Sequence, residues 1–92
     1  MNIENKVVVV TGAASGIGRA LAQAFKNARA DKVYIADLNE EGLAETANLM
    51  DGIAIKTDVS KESEIRSLIE EVNKENDIDI FCSNAGIGGE FG

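Results

Sequence analysis

The feature that most constrains this chain is an apolar run that leads directly into a glycine-rich turn. The run, Val7 to Val10, consists of four β-branched residues and predicts a strand buried on both faces. The turn, Thr11 to Gly18, opens a stretch with helical periodicity. A helix that begins near Gly16 directs its free backbone N–H groups and the positive end of its dipole across the end of the strand. This geometry is suited to binding a phosphate or pyrophosphate group.

The glycines of this turn have separate predicted roles. We expect Gly12 to permit a tight turn, Gly16 to let the backbone approach a pyrophosphate, and Gly18 to let the helix pack close to the sheet. Ser15 can either donate a hydrogen bond to a phosphate or ribose, or simply cap the helix. Arg19 lies next to the turn and can equally be a solvated side chain. Because turns and helix caps are rich in glycine anyway, the pattern alone is weak evidence.

Polar residues follow the later candidate strands at corresponding positions. Asp37 ends the second apolar run and comes 19 residues after Gly18, close to the spacing at which an acidic residue binds the ribose hydroxyls of a dinucleotide. Asp58 follows the third candidate strand, and Asn84 follows the fourth. Since the carboxyl ends of parallel strands meet at one edge of a sheet, we expect these side chains to lie on the same edge as the glycine turn.

Candidate strands alternate with candidate helices along the whole chain, which predicts βαβ units and a parallel sheet. Right-handed crossovers with a switch after the third strand give the spatial order 3-2-1-4. The predicted fold class is therefore α/β, as the first half of a Rossmann-type doubly wound parallel sheet with the order β-α-β-α-β-α-β. The predicted strands are 7–10, 33–36, 53–57 and 78–82, and the predicted helices begin at Gly16, after Asn39 and after Ser60.

The helical segments each carry an apolar stripe, and two of them begin with a side chain suited to an N-cap. Asn39 and Ser60 are the predicted caps, and Asp51-Gly52 is expected to end the second helix. The predicted inner faces are Ile17, Leu21, Ala24 and Ala28, with Phe25 beside them, in the first helix; Leu43, Ala47 and Met50 in the second; and Ile65, Leu68, Ile69 and Val72 in the third.

Composition excludes several kinds of site. The chain has no histidine and one cysteine, so it has no His-based catalytic triad, no His-ligated or multi-Cys metal site and no intramolecular disulfide. Cys82 lies in a candidate strand and is interpreted as core filler rather than a reactive thiol. The net charge is −7, and residues 37–79 hold the acidic excess. This distribution either leaves the part that faces the phosphate less acidic, which suits an anionic cofactor, or simply places charged side chains on the solvent faces of the helices. No basic patch favours nucleic acid as a partner.

Length and hydropathy limit the organisation of the chain. Its 92 residues suffice for one small domain of marginal stability. The first apolar run is too short for a signal sequence or a membrane span, so we predict a cytoplasmic protein with no membrane partner.

The motifs together resemble the short-chain dehydrogenase/reductase family. Four of them occur in the family's order and spacing: Thr11-Gly12 with Gly16-Ile17-Gly18-Arg19, then Asp37, then Asp58-Val59, then Asn84-Ala85-Gly86. The glycines are spaced Gly-x-x-x-Gly-x-Gly, as in that family, and the resemblance covers essentially the whole chain. One departure is Ser83, where many members carry a second asparagine before the Asn-Ala-Gly motif.

This resemblance implies an oxidoreductase that transfers a hydride between a nicotinamide cofactor and a secondary alcohol or ketone. It implies that Asp58 accepts from the adenine amino group and that Asn84 braces a strand end in the cofactor cleft, although either can be an ordinary turn residue. NAD is favoured over NADP because the Asp37 carboxylate repels a 2′-phosphate and neither Leu38 nor Ala14 is basic. The predicted cofactor-binding residues are Gly12, Ser15, Gly16, Ile17, Gly18, Asp37, Leu38, Asp58, Val59, Asn84, Ala85 and Gly86, with no metal ligands.

The family's catalytic serine and Tyr-x-x-x-Lys pair are not among these residues. The single tyrosine, Tyr34, is followed four positions later by Leu38 rather than by lysine. Residues 1–92 are therefore interpreted as a dinucleotide-binding half-domain, truncated before the catalytic segment and inactive alone. The alternatives are a non-catalytic nucleotide-binding module and a scaffold that assembles through an open sheet edge. We expect self-association through the fourth strand, with Ile78, Ile80 and Cys82 on one face and Phe81 on the other.

Overall fold

Strands and helices alternate throughout residues 3–84, the part of the chain that the computed structural model describes. The elements are β1 (Val7–Thr11), α1 (Gly16–Asn27), β2 (Lys32–Asp37), α2 (Glu40–Met50), β3 (Ile53–Lys56), α3 (Glu62–Asn73) and β4 (Ile80–Cys82). Their sequence order is the predicted one. None of the three helices in this range is both long and apolar enough to cross a bilayer.

The four strands form one parallel sheet in the order β3-β2-β1-β4, which confirms the predicted fold class and topology. β1 lies in the interior of the sheet, where Val8 pairs with Val33 of β2 on one side and with Ile80 of β4 on the other. Every residue of β1 is buried. Four consecutive valines satisfy this position because a central parallel strand is covered on both faces.

The alternation of the β1 valines divides the core into two clusters, one on each face of the sheet. Side chains of successive strand residues point to opposite faces, so Val8 and Val10 join one cluster and Val7 and Val9 the other. The first cluster is completed by α1 and α2, chiefly by Ala22, Leu43 and Met50 with Val33 and Ile35. The second is completed by α3, through Leu68 and Val72 with Tyr34 and Ala36.

Helix α1 faces the sheet with different residues from those predicted. Gly18 and Ala22 are its buried residues, whereas Ile17 is 71% exposed and Ala24 is exposed. A Cβ atom built on Gly18 would overlap the carbonyl oxygen of Gly12, so the backbones are too close for any side chain there. The close approach therefore selects the smallest residues for the inner face, and the stripe of larger apolar residues is partly turned away. Leu21 and Phe25 keep partial contact with the core.

The helix ends agree with the sequence in α2 and differ in α3. The Asn39 side chain accepts a hydrogen bond from the Gly42 N–H at 3.1 Å, and Asp51 ends α2 in the left-handed region with φ of 56°. The prediction that Ser60 caps α3 is wrong, because the N-cap is Lys61. Ser60 instead donates from both its backbone N–H and its hydroxyl to Asp58, and this local turn displaces it from the cap position.

Strand β4 is shorter than predicted and begins only at Ile80. The Asp79 side chain accepts a hydrogen bond from the Val7 N–H at 2.8 Å, while the Asp79 N–H donates to the Val7 carbonyl at 2.9 Å. Because a side chain replaces the backbone acceptor here, regular strand alternation does not extend back to Ile78. Ile78 packs on the α3 side and Ile80 and Cys82 on the other, so the prediction that all three share a face is wrong.

Candidate functional site

The carboxyl ends of β1 and β4 are tied together by one threonine. The Thr11 hydroxyl donates to the Cys82 carbonyl at 3.4 Å and accepts from the Asn84 backbone N–H at 3.1 Å. Thr11 is buried, so this link is protected from water. Asn84 thus contacts the end of β1 through its backbone amide. Its predicted neighbours Ala85 and Gly86 lie outside the described residues.

The glycine-rich turn crosses the end of β2 as well as that of β1. The Gly12 and Ala13 N–H groups both donate to the Ala36 carbonyl, at 2.8 and 3.3 Å. Gly12 has a φ of 69° and Gly16 a φ of 57°, which is the left-handed region that residues with a Cβ atom rarely adopt. A Cβ on Gly16 would meet no other atom within 4 Å, so its backbone borders open space. The turn therefore presents an uncovered stretch of backbone at the sheet edge.

Ser15 and Ile17 flank this exposed backbone at the start of α1. Ser15 is the N-cap residue, but its side chain makes no capping hydrogen bond and is exposed. The capping alternative for its hydroxyl is thus absent from the structure. Ile17 extends into solvent from the first turn of the helix. The N-terminus of α1 consequently combines uncapped N–H groups with a free hydroxyl and an apolar side chain.

Asp37 lies against the glycine turn, although 23 residues separate it from Ala14. Its Oδ2 accepts from the Ala14 N–H at 3.1 Å, and its Oδ1 accepts from the Asn39 N–H at 3.0 Å. Two backbone donors fix the orientation of the carboxylate, and each oxygen retains a further acceptor site. The neighbouring Leu38 is exposed and apolar. The structure thus joins the acidic residue and the glycine turn into one arrangement.

Asp58 and Val59 follow β3 farther along the same edge. The Ser60 hydroxyl, at 2.6 Å from Asp58 Oδ1, and the Ser60 N–H hold the pKa of Asp58 below its usual value. The Asp58 N–H donates to Glu64 of α3 at 2.8 Å, so the turn is attached to the helix that follows it. Val59 is half-buried. Asp58 therefore lies at this edge as an ionised carboxylate in a defined turn.

Two supporting residues were not among the predicted site residues. Arg19 and Thr46 connect the glycine turn to α2 by hydrogen bonds from their side chains. Thr46 is fully buried on the inner face of α2, between Leu43 and Met50. A threonine within an otherwise apolar helical stripe is the sequence signal that could have indicated a buried polar contact.

The hydroxyl of the single tyrosine is already hydrogen-bonded, and the thiol of the single cysteine is half-buried. The hydroxyl of Tyr34 accepts from the Asn76 side chain at 2.8 Å inside the α3-side cluster. Cys82 is half-buried, and burial raises the pKa of its thiol, in agreement with its interpretation as core filler. Within residues 3–84, no three Cys, Asp or Glu side chains are grouped so as to hold a metal ion.

A separate groove of about 500 Å³ lies between β3 and α3. Ile55, Thr57 and Leu68 line it together with both lysines and glutamates. This mixture of charges does not favour an anionic ligand, and the groove contains no predicted cofactor residue.

Comparison with known proteins gives one consistent family. The family model for short chain dehydrogenases matches residues 6–92. The chain is 35% identical over 96 residues to an uncharacterized oxidoreductase, YxbG, of Bacillus subtilis, covering 98% of this chain and 35% of that protein. It is 38% identical over 89 residues to an NAD-dependent glycerol dehydrogenase of Listeria innocua, covering 94% of this chain and 35% of that protein.

Solved structures agree with this assignment. A short chain dehydrogenase of Bacillus anthracis superposes with a TM-score of 0.82 at 28% identity, over 92% of this chain and 36% of the other. A short chain dehydrogenase/reductase of Burkholderia phymatum, solved in complex with NAD, gives a TM-score of 0.81 at 29% identity, over 88% and 31%. The chain spans about a third of the length of the relatives it matches. By its motifs, its sheet order and these matches, the chain belongs to the short-chain dehydrogenase family.

Proposed function

We propose that this chain is the dinucleotide-binding part of an NAD-dependent oxidoreductase. One observation carries the proposal: the Asp37 carboxylate is held against the glycine turn by the Ala14 N–H, at 3.1 Å. This contact supports the proposal, because an adenosine diphosphate group needs an acceptor for its ribose beside a turn for its phosphates.

Open backbone and hydrogen-bonding groups at this edge of the sheet support a dinucleotide site. The open backbone at Gly16 and the start of α1 are the pyrophosphate contacts, and the Ser15 hydroxyl is an additional donor. Asp37 accepts from the ribose hydroxyls, while Leu38 and Ile17 supply exposed apolar surface beside them. Farther along the edge, Asp58 and Val59 are the adenine contacts, and Asn84, just after β4, lines the cofactor cleft.

NAD is the preferred cofactor in this proposal. A 2′-phosphate placed on the ribose would meet the Asp37 carboxylate, and the adjacent residues Leu38 and Ala14 offer it no positive charge. Two like charges brought together without a counterion are repelled. The preference therefore follows from a repulsive element as well as from hydrogen bonds to the ribose.

The complete reaction is hydride transfer to or from a secondary alcohol or ketone, a chemistry that the nicotinamide ring supplies when bound. This half contributes the position and orientation of the cofactor. The 92 residues are inactive alone in this proposal, because Tyr34 is the single tyrosine and Leu38, four positions later, is not the lysine of a Tyr-x-x-x-Lys pair. The alternative is a nucleotide-binding module with no catalytic role.

Calorimetric titration of the chain with NAD and with NADP tests the binding proposal. We expect saturable binding of NAD and weaker binding of NADP. An absorbance assay for NADH, with a panel of secondary alcohols, tests whether the 92 residues catalyse the reaction alone. Absence of NAD binding would contradict the proposed function, and turnover by the 92-residue chain would contradict the assignment of catalysis to other residues.

Self-association through β4 is part of the proposal. Within residues 3–84, β4 pairs with β1 on one side and with no strand on the other. Its free edge presents unpaired backbone groups, and Phe81 beside them is 37% exposed. Such an edge is a template for pairing with another chain.

A further inference from the structure

Arg19 occupies a defined position between the glycine turn and α2, although its charge suggests a solvated residue. Its Nη2 donates to the Ala14 carbonyl at 2.6 Å and to the Gly42 carbonyl at 3.2 Å, and its Nε donates to the Thr46 hydroxyl at 2.8 Å. Only 26% of the side chain is exposed, and the ion pair with Glu45 is long, at 3.9 Å. The guanidinium is therefore held mainly by hydrogen bonds to one hydroxyl and two backbone carbonyls.

Thr46 continues this connection into the turn. Its hydroxyl donates to the Ala13 carbonyl at 2.7 Å and also lies 3.2 Å from the Gly42 carbonyl. Thr46 is fully buried, so these contacts are shielded from competing water. Two consecutive carbonyls of the turn, those of Ala13 and Ala14, are thus held by side chains from α1 and α2.

The planarity of the peptide bond relates these carbonyls to the binding edge. In a trans peptide the C=O and N–H groups point in opposite directions, and there is no cis peptide in the described chain. When Thr46 holds the Ala13 carbonyl, the Ala14 N–H is directed to the Asp37 carboxylate, as observed. When Arg19 holds the Ala14 carbonyl, the Ser15 N–H is directed away from Arg19, at the N-terminus of α1.

We propose that Arg19 and Thr46 are positioning residues for the dinucleotide, acting through the Ala13–Ala14 and Ala14–Ser15 peptides. They set the orientation of the turn that receives the pyrophosphate. Through the Ala14 N–H they also hold the Asp37 carboxylate, on which discrimination against a 2′-phosphate depends. This inference rests on the proposed function for its effect on nucleotide binding, but not for its effect on the free protein.

The Thr46→Val and Thr46→Ser variants form a matched pair. Valine keeps the shape of threonine and removes the hydroxyl, whereas serine keeps the hydroxyl. We expect Thr46→Val to weaken NAD binding about tenfold by calorimetry. The reason is that the Ala13 carbonyl and the Arg19 Nε–H group both lose the Thr46 hydroxyl as their hydrogen-bond partner. NADP binding should weaken less, because the repelling carboxylate is less firmly held, so the ratio of the two dissociation constants narrows. Thr46→Ser should restore both values to within about twofold of the original chain.

Arg19→Lys provides a second variant, which does not alter the buried core. Lysine keeps the positive charge, but it lacks the planar guanidinium that donates to the Thr46 hydroxyl and to the Ala14 carbonyl at the same time. We expect the ratio of the dissociation constants for NAD and NADP to narrow, as in Thr46→Val. Val72→Ala, in α3 on the opposite face of the sheet, is the control, because it lowers the stability without contacting the turn. It should leave the ratio unchanged.

Hydrogen exchange of the Ala14 amide in the free protein separates this inference from the proposed function. Thr46→Val and Arg19→Lys should each accelerate it severalfold relative to amides in β1, and Val72→Ala should not. If NAD fails to bind the original chain, the proposed function fails, and the exchange rates still test the positioning role. Unchanged Ala14 exchange, equal losses of NAD and NADP affinity, or failure of serine to rescue Thr46→Val would each overturn the inference.

Discussion

At the residue scale, the most consequential arrangement is a carboxylate held by backbone donors. Asp37 accepts from Ala14 in the glycine turn and from Asn39 at the start of α2. These contacts fix where its negative charge lies, and a fixed charge discriminates between ligands better than a freely rotating one. In the proposed function, discrimination between NAD and NADP would therefore depend on the backbone of the turn as well as on the identity of residue 37.

Replacing this charge tests the proposed cofactor preference. Asp37→Asn keeps an oxygen acceptor but removes the repulsion of a 2′-phosphate. We therefore expect the ratio of the NADP dissociation constant to the NAD dissociation constant to fall by about tenfold. The measurement is calorimetric titration with each nucleotide. Asp31→Asn is the matched control, because Asp31 is an exposed acid just before β2, at the opposite end of that strand. An undiminished preference in Asp37→Asn, or an equal change in Asp31→Asn, would contradict the role of Asp37.

The hydrogen bonds at Asp58 predict how the stability of the fold depends on pH. The hydroxyl and N–H of Ser60 lower the pKa of Asp58, so the ionised form stabilises the fold above the ordinary carboxyl pKa of about 4. That contribution is lost as the pH falls through the lowered value. We expect Ser60→Ala to raise the pKa of Asp58 toward its ordinary value, measured by NMR titration of its carboxyl carbon. Ser67→Ala, on the exposed side of α3, should leave the titration unchanged.

At the scale of elements, α2 and α3 differ in how they begin. Asn39 accepts the Gly42 N–H and so satisfies one of the free donors of α2, whereas Lys61 makes no side-chain hydrogen bond at the start of α3. Both helices carry two glutamates in the first turn, which suit the positive end of the helix dipole. The capping side chain is therefore the principal difference between the two N-termini.

This difference gives a paired stability test. Asn39→Ala should lower the free energy of unfolding by about 1 kcal/mol, since it removes the cap of α2. Lys61→Ala at the equivalent position of α3 should change it by less than about 0.5 kcal/mol. Urea denaturation followed by circular dichroism measures both. Equal losses in the two variants would show that the Asn39 hydrogen bond does not stabilise α2.

At the scale of the whole molecule, the sheet formed by residues 3–84 ends at β4, which pairs with β1 alone. β3, at the other end of the sheet, is also an edge, but Lys56 within it pairs with Glu40 at 2.8 Å and places charge there. The pKa of Glu40 is lowered and that of Lys56 raised by this contact. β4, Ile80–Cys82, has no charged residue. Charges discourage edge-to-edge pairing, so β4 is the edge at which we expect association.

Adding a charge to β4 tests this expectation. The original chain should form concentration-dependent oligomers in sedimentation velocity experiments, and Phe81→Lys should shift it toward monomer. Leu49→Lys is the control, because Leu49 is an exposed apolar residue of α2, remote from the edge. A monomeric original chain at high concentration, with a cooperative thermal transition, would rule out association through β4.

The order of the elements, the parallel sheet and the glycine turn at its edge could all be predicted from the amino-acid sequence. These follow from local information: β-branched runs, 3.6-residue periodicity, and glycines where the backbone needs a positive φ. It also indicated Asp37 by its spacing from the turn, because strand and helix lengths in a βαβ unit are narrowly constrained. Binding by the predicted site residues, and the cofactor preference, stay predictions.

The residues that support that site depend on long-range packing. The face of α1 that meets the sheet depends on how closely two backbones approach, so Gly18 and Ala22 are buried and Ile17 is exposed. The hydrogen bonds of Arg19 and Thr46 join segments 27 residues apart. Apart from their contact with each other, their partners are backbone carbonyls, which every residue possesses. The threonine in an apolar stripe could therefore indicate a buried polar contact, but no side-chain pattern could identify its partners. Long-range contacts to the backbone become visible only when the packing of α2 against the turn is known.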